Sequence, residues 1–355
     1  MNHINELHKI LTQYFKWNKA RISCLAQILQ ALICVRTVNL VQISSSFKSK
    51  AAEDSSYRRI RRFFSNYSFD TTSIVPFVLG LFSLKTNLIL ILDRTNWKWG
   101  KKDINILMLS LAFMGIGIPI FWIVLNTRGN SSTADRISLL KQVLRKIGYK
   151  RIQAFVADRE FIGEEWFRFL IKEKIPFIIR IKKNVLAGGI QAYLRVPVIN
   201  LWKNRGGSKS IINHPILLWG HLLYTSIYQS KKAKEPMIVV SNIEYEDAIE
   251  IYKKRWEIET LFGCLKTRGF RMEDTHITDP KRIEKLLFVL AIAFCWSYKA
   301  GIIKNKDSPI SIKSHGRKSK SLFRIGLDYI RSILFYMETK FDQFLNMLNT
   351  LKCLN

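Results

Sequence analysis

The chain has 355 residues, of which 48% are hydrophobic and 12% aromatic, so it carries enough apolar material for a large core divided into two or three units. Its 57 Lys and Arg outnumber 27 Asp and Glu, giving a formal net charge of +30. This excess repels itself in a compact fold and argues against an enzyme of small metabolites. A polyanion is the expected partner, with nucleic acid favoured over an anionic membrane surface.

The N-terminal residues, 1–78, are predicted to form a helical DNA-binding domain. Helical patterns cover residues 4–15, 22–33 and 55–67. A basic helix face is often only solvated, but in a chain of this charge we interpret the basic run of the third helix as DNA-contacting. Its four members are Arg58, Arg59, Arg61 and Arg62.

The pattern changes to a mixed α/β order in the next segment, residues 79–182. Continuous apolar runs are typical of strands buried on both faces, and amphipathic stretches between them predict helices. The predicted order is strand 86–93, strand 104–113, strand 118–126, helix 132–148, strand 152–158, helix 164–174 and strand 176–182.

Three further segments complete the predicted organisation. Residues 183–243 are broken by Gly, Pro and Asn and predict a β-rich insertion, and residues 244–304 return to helices. Residues 305–355 predict a basic linker and a C-terminal helix.

No membrane partner is expected. The longest apolar run, residues 286–296, is too short to span a bilayer and predicts a buried helix, and the N-terminus lacks the order of a signal peptide. We expect a cytoplasmic, nucleoid-associated protein with reduced core cysteines, because the cysteines have no pairing or metal-ligand spacing. They are Cys24, Cys34, Cys264, Cys295 and Cys353.

Two aspartates, Asp93 and Asp158, each follow an apolar strand at its C-terminal side. An aspartate there is often only a turn or capping residue. If the two strands are neighbours, however, the carboxylates converge and repel one another unless a cation lies between them. Hard divalent cations such as Mg²⁺ suit such oxygen ligands, and a pair of ions needs a third carboxylate.

The third carboxylate is predicted in residues 251–270. On a helix, Tyr252, Arg255, Glu259 and Lys266 share a stripe about 60° wide. Arg255 and Glu259 are four residues apart, so a simple helix salt bridge is one interpretation. The other is that Glu259 binds metal, Arg255 and Lys266 bind phosphate, and Tyr252 hydrogen-bonds to or stacks on the DNA strand.

These four residues match the Y-(2)-R-(3)-E-(6)-K signature of the insertion-sequence transposases of family four. The stretches ILDRTNWKWG around Asp93 and VADREF around Asp158 add to the resemblance, which covers roughly residues 85–300. It implies a ribonuclease-H-like mixed five-stranded sheet with flanking helices, interrupted by a β-rich insertion before the glutamate.

The resemblance also implies a function. Asp93, Asp158 and Glu259 would be the catalytic residues and would bind two Mg²⁺ or Mn²⁺ ions. Tyr252, Arg255 and Lys266 would bind the transposon end. The expected protein binds terminal inverted repeats and target DNA as a homodimer and catalyses cleavage and strand transfer, through a hairpin end with a flipped base. An aromatic side chain would stabilise that base, the candidates being Trp202 and Trp219 of the insertion, with Trp97 and Trp99 after Asp93, although each is also a candidate core residue.

Three alternative functions are compatible with these residues. A ribonuclease-H-like nuclease would use the same three carboxylates and cut without joining. A catalytically inactive or repurposed DNA-binding protein would keep the basic surface, but its expected mark, the loss of a carboxylate, is absent. A membrane-surface protein would also use the charge, yet the basic residues are spread over all segments.

Overall fold

The computed structural model describes residues 3–47, 52–125, 127–188, 194–203, 210–230, 233–314 and 316–352. Its N-terminal part is helical, as predicted. In α2, aliphatic side chains at helical spacing are fully buried, and the Asn18 side chain caps the first turn by accepting the N–H of Arg21. The helices are α1 (His3–Tyr14), α2 (Lys19–Val35), α3 (Leu40–Ser45), α4 (Glu53–Asn66) and α5 (Ile74–Leu81).

A mixed sheet forms the centre of the molecule. The strands in chain order are β1 (Leu88–Trp99), β2 (Lys102–Phe113), β3 (Ile116–Leu125), β4 (Ile152–Ala157), β5 (Phe177–Arg180), β6 (Leu186–Ala187), β7 (Val196–Pro197), β8 (Ile211–Leu218), β9 (His221–Tyr228) and β10 (Met237–Ser241). The large sheet has the order β3-β2-β1-β4-β5-β10-β9-β8, while β6 and β7 pair separately. The β1–β4 and β4–β5 pairs are parallel, and the other pairs of the large sheet are antiparallel.

The predicted α/β class is therefore confirmed, and the first five strands stand in the predicted order. The large sheet has eight strands rather than five because β10, β9 and β8 continue it beyond β5. The sequence pattern shows that residues 183–243 are β-rich but not which strand they extend.

The first strand is longer than its apolar run. β1 continues past Asp93 to Trp99 and forms a long hairpin with β2, which turns at Gly100 with a φ of +56°. The prediction that this strand ends at Asp93 is wrong. The apolar run stops there because the parallel ladder to β4 also stops there, leaving the outer half of the hairpin paired on one side only.

Two helices connect the parallel strands. They are α6 (Thr133–Ile147), between β3 and β4, and α7 (Glu164–Lys172), between β4 and β5. Ser132 is the N-cap of α6, and Asp135 completes its capping box.

The C-terminal part begins with a helix that is not continuous. Residues 251–270 form the end of α9 (Ala248–Lys253) and then α10 (Trp256–Gly263). A π-helical turn follows at Cys264–Arg268. The predicted single stripe is thus interrupted before Lys266. The remaining helices are α8 (Ile199–Lys203), α9 (Ala248–Lys253), α10 (Trp256–Gly263), α11 (Pro280–Asp307), α12 (Leu322–Phe335) and α13 (Phe341–Asn349).

The helix α11 is the central helix of the core. It has the length and apolar composition of a membrane span, but 83% of its apolar window is buried inside the molecule, as in the core helix of a soluble protein. It crosses α12 closely at Gly301 and Gly326, where an added Cβ would meet backbone oxygen 1.9 and 1.8 Å away. Only glycine permits this approach.

Helix α10 is held against the edge strand β3. A Cβ on Gly117 would lie 3.0 Å from the Cα of Ile258, so the absence of a side chain allows the helix to approach. Glu257 Oε2 then accepts the backbone N–H of Phe113 at 2.8 Å. These contacts fix the helix that carries Glu259.

Candidate active site

Asp93 and Asp158 lie beside each other at the end of a parallel ladder. The last residue pair between β1 and β4 is Leu92 with Ala157, so the two aspartates are the next residues in register. Asp158 is the first residue after β4, whereas Asp93 lies within β1. The strands are the neighbours that the sequence argument requires, and the ladder fixes the proximity of the carboxylates.

Arg255 connects Asp93 with Glu259. Its Nη1 donates to Asp93 Oδ2 at 2.8 Å and its Nη2 donates to Glu259 Oε1 at 2.6 Å. The Arg255 side chain is 8% exposed, that of Asp93 16% and that of Glu259 54%. The helix salt bridge considered from the sequence is therefore present, and it is one half of a bridge between two predicted metal ligands.

The Arg255 guanidinium is incompletely satisfied in this arrangement. Its Nε is buried without a hydrogen-bond partner among the described residues. A buried donor left unpaired costs about 1–3 kcal/mol. The bridge to the two carboxylates therefore leaves one donor of this side chain available for a further acceptor.

Asp93 is held in an environment that opposes its charge. Burial raises the pKa of its carboxyl from 3.8 to about 6, although the backbone N–H of Arg94 and the positive charge of Arg255 act to lower it. The neighbouring carboxylates of Glu160 and Asp158 add to the rise. A carboxylate in this position gains from any further positive charge.

Tyr252 is a buried residue that contacts Asp158. Its hydroxyl donates to Asp158 Oδ1 at 3.2 Å, and its side chain is 1% exposed. Burial and the nearby Asp158 charge raise the pKa of the phenol, so the hydroxyl stays protonated and acts as a donor. This orients the Asp158 carboxylate. DNA contact by Tyr252 stays a prediction.

Lys266 contacts β1 beyond Asp93, at Asn96. Its Nζ donates to the Asn96 carbonyl at 3.3 Å, pairs with Glu273 at 2.7 Å and lies 5.9 Å from the centre of the Trp97 ring. The side chain is 20% exposed. Its phosphate contact is a prediction that requires the pair with Glu273 to open.

Two residues near the site were missed by sequence reasoning. Arg94 donates from Nε and Nη2 to the two carboxylate oxygens of Glu160, both at 3.3 Å, and from Nη1 to Asn105 at 3.1 Å. The pair ties the segment after Asp93 to the segment after Asp158. The available signal was position, because Arg94 directly follows one aspartate and Glu160 is two residues after the other.

The four arginines of α4 are not equivalent. Arg59 is directed inward, donating to Gln27 at 2.8 Å and to Ser23 at 3.3 Å on α2, so it ties two helices together. Arg58, Arg61 and Arg62 are exposed. Their predicted DNA contacts are untested, and the surroundings of Arg59 favour a structural role.

The candidate tryptophans also divide. Trp97 is 8% exposed, while Trp202 and Trp219 are half-buried, the latter against Phe167 with ring centres 5.2 Å apart. Trp99 is 38% exposed at the hairpin tip. No flipped-base contact follows from these positions, and that role stays a prediction.

The donor set of the site suits a hard divalent cation. Carboxylate oxygens from Asp93, Asp158 and Glu259 are the ligands that Mg²⁺ or Mn²⁺ prefers. Across the described ranges, no three acidic, histidine or cysteine side chains already form a metal centre, and Arg255 holds its charge between Asp93 and Glu259. The chemistry fits a metal, provided that Arg255 moves.

The strand order β3-β2-β1-β4-β5, with aspartates at adjacent parallel strands and a glutamate on a later helix, defines a ribonuclease-H-like fold with an acidic site. The model of the family described as "Transposase DDE domain" matches residues 85–296, more than half of the chain. The chain belongs to this family.

Two of the matching solved structures are as follows. One is a piggyBac transposase in a synaptic complex with hairpin DNA, at 14% identity and a TM-score of 0.48, covering 99% of this chain and 83% of that chain. The other is Endonuclease V from Bacillus subtilis, at 10% identity and a TM-score of 0.25, covering 69% and 94%. No curated protein matches the sequence significantly.

Proposed function

We propose that this protein is the DNA transposase of an insertion sequence, binding terminal inverted repeats and catalysing metal-dependent cleavage and strand transfer. The observation that carries the proposal is the register of β1 and β4, which brings Asp93 and Asp158 together, with Glu259 linked to Asp93 through Arg255. The net charge of +30 supports DNA as the partner. We further propose that the protein works in the cytoplasm at the nucleoid, as a homodimer that pairs two ends.

Asp93, Asp158 and Glu259 would hold two Mg²⁺ or Mn²⁺ ions, whose chemistry when bound is to activate an attacking oxygen and stabilise the leaving one. Tyr252 fixes the orientation of Asp158 by its hydrogen bond. Arg94 and Glu160 hold the two aspartate-bearing segments together. Hydrolysis of the end leaves a 3′-hydroxyl. In the proposed route this hydroxyl attacks the opposite strand, which forms a hairpin end and displaces the flanking DNA with its own 3′-hydroxyl. Hydrolysis of the hairpin regenerates the 3′-hydroxyl of the end, which then attacks a target phosphodiester and displaces the 3′-oxygen of the target strand.

Arg255 would change partners during this sequence. In the structure its guanidinium supplies the positive charge between Asp93 and Glu259, and its Nε has no acceptor. A DNA phosphate brought to the site offers that acceptor, in a charge-assisted and bidentate geometry that arginine favours. Release of the carboxylates would then accompany DNA binding.

The test is cleavage of linear DNA carrying the inverted ends that flank the coding sequence, with Mg²⁺, on a denaturing gel. Wild type should cut at the boundary, and Glu259→Gln should bind the DNA without cutting it. The matched control is Glu250→Gln, because Glu250 is an exposed glutamate on α9 that forms an ion pair with Lys253 of the same helix. This control should cut normally.

The outcomes separate the rival functions. Cut ends that join to a target plasmid support the transposase, whereas cuts without joining favour a nuclease. Specific binding without cuts in wild type favours a DNA-binding protein without catalysis. Cleavage by Glu259→Gln at the wild-type rate would refute the role of that residue.

A further inference from the structure

A polar cavity lies away from the carboxylates, between the N-terminal helices and the catalytic body. Its volume is about 320 Å³. We name it the Arg61 cleft: Tyr57, Arg61 and Phe64 of α4 line one side, and His276 and Arg282 line the other. The two walls come from segments more than 200 residues apart in the chain.

The charges in the cleft favour an anion. In the described part of the chain, the guanidinium groups of Arg61 and Arg282 form no ion pair, and both side chains are exposed. One carboxylate, Asp279, also lines the cleft, but its Oδ1 accepts the backbone N–H of Arg282 at 2.9 Å and caps α11. Two unpaired arginines facing one space suit a phosphate, to which guanidinium binds strongly.

The remaining surface suits the rest of a nucleotide. Tyr57, with Arg61 5.8 Å from its ring centre, gives an aromatic face beside the positive charge, and Val41 is an exposed apolar side chain at the rim. DNA-binding grooves combine these features, with arginine at the backbone and aromatic or apolar side chains against the sugar and base.

The cleft is connected to the active site by the β1–β2 hairpin. Asp93 and Trp99 are six residues apart on β1, which is about 20 Å along an extended strand. At the tip, Trp99 stacks on His276 of the cleft wall, with ring centres 4.3 Å apart and planes inclined by 23°. Near its tip the hairpin carries the exposed Lys98, Lys101 and Lys102. Along one DNA strand, 20 Å corresponds to about six nucleotides at 3.4 Å each.

We propose that the Arg61 cleft binds a single backbone phosphate of the transposon-end DNA, at least about six nucleotides from the phosphate placed at Asp93, since the hairpin of that length reaches only to the cleft wall. The proposal rests on the proposed function and assigns Arg61 and Arg282 to one phosphate. The cleft would then fix the distance along the DNA between the cleavage position and the contact with the N-terminal domain.

The test is a scan of uncharged methylphosphonate substitutions, one phosphate at a time, through the flanking inverted repeat. Binding to wild type, Arg61→Ala and Arg282→Ala is measured by fluorescence anisotropy over a series of salt concentrations. Arg145→Ala is the matched control, because Arg145 is an exposed arginine on α6 that does not line the cleft.

In wild type, one substitution at least about six nucleotides from the cut should weaken binding and lower the salt slope by about one. The same substitution should have no further effect in Arg61→Ala or Arg282→Ala, yet keep its full effect in Arg145→Ala. Additive effects at every phosphate in Arg61→Ala would overturn the cleft assignment while end binding by wild type still supports the proposed function. Absence of end-specific binding by wild type would overturn both.

Discussion

Ionised Asp93 should destabilise the metal-free protein at neutral pH, and Asp93→Asn should remove this destabilisation. Burial raises the pKa of this carboxyl from 3.8 to about 6. At about 1.4 kcal/mol for each unit of pKa, its ionisation in the folded protein costs about 3 kcal/mol once the pH is above 6. An asparagine carries no charge and still offers an oxygen to Arg255.

The direction with pH follows from proton binding. Between pH 3.8 and 6 the folded protein holds a proton on Asp93 that the unfolded chain has released, so wild-type stability falls as the pH rises through this window. Of the total, about 2 kcal/mol is lost between pH 4.5 and 7.5. Relative to wild type, the variant should therefore gain about 2 kcal/mol over that range.

Urea unfolding at both pH values, with EDTA present, measures the difference. Asp274→Asn, at an exposed aspartate, is the control and should follow wild type. Excess Mg²⁺ should stabilise wild type more than Asp93→Asn. An identical pH dependence in wild type and Asp93→Asn would refute the argument that burial of Asp93 opposes its charge.

Three further predictions concern other parts of the molecule. Arg255→Ala should bind Mn²⁺ roughly tenfold or more tightly without DNA, because a competing positive charge is removed; electron paramagnetic resonance measures this, and Lys254→Ala, which removes an exposed charge, should not change it. Gly326→Ala should destabilise the protein by about 3 kcal/mol or more in a thermal melt, since its Cβ would lie 1.8 Å from the carbonyl oxygen of Ser297. Gly263→Ala is the control and should destabilise the protein much less in the same measurement, because its Cβ would meet the flexible Arg268 side chain. Tyr252→Phe should reduce cleavage while leaving the salt slope of DNA binding unchanged, because it removes the donor that orients Asp158 from a buried position; a lowered slope would instead indicate a direct phosphate contact.

Much of the sheet follows from the sequence because its strands are continuous apolar runs. Such runs give the order of β1 to β5, and the two aspartates that close them identify the acidic edge. The run at residues 86–93 nevertheless underestimates β1, since strand length past Asp93 is set by pairing to β2 rather than by burial on both faces.

The charge arrangement of the site is less accessible from sequence. Spacing places Arg255 and Glu259 on one helix face, but the additional contact of Arg255 with Asp93 depends on how closely α10 packs against β3 at Gly117. The Arg61 cleft is also not evident from the sequence, because Arg61 and Arg282 are far apart in the chain and the basic run that contains Arg61 does not indicate Arg282. Contacts of this kind are tertiary and have no local sequence period.

The continuation of the sheet by β10 has a consequence for shortening the protein. β10 pairs with β5 at three positions, so it covers an edge that would otherwise face solvent. Deleting residues 183–243 would leave β5 as an open edge strand, which invites pairing between chains and aggregation. The insertion is therefore not a detachable module. A minimised transposase should keep β8, β9 and β10.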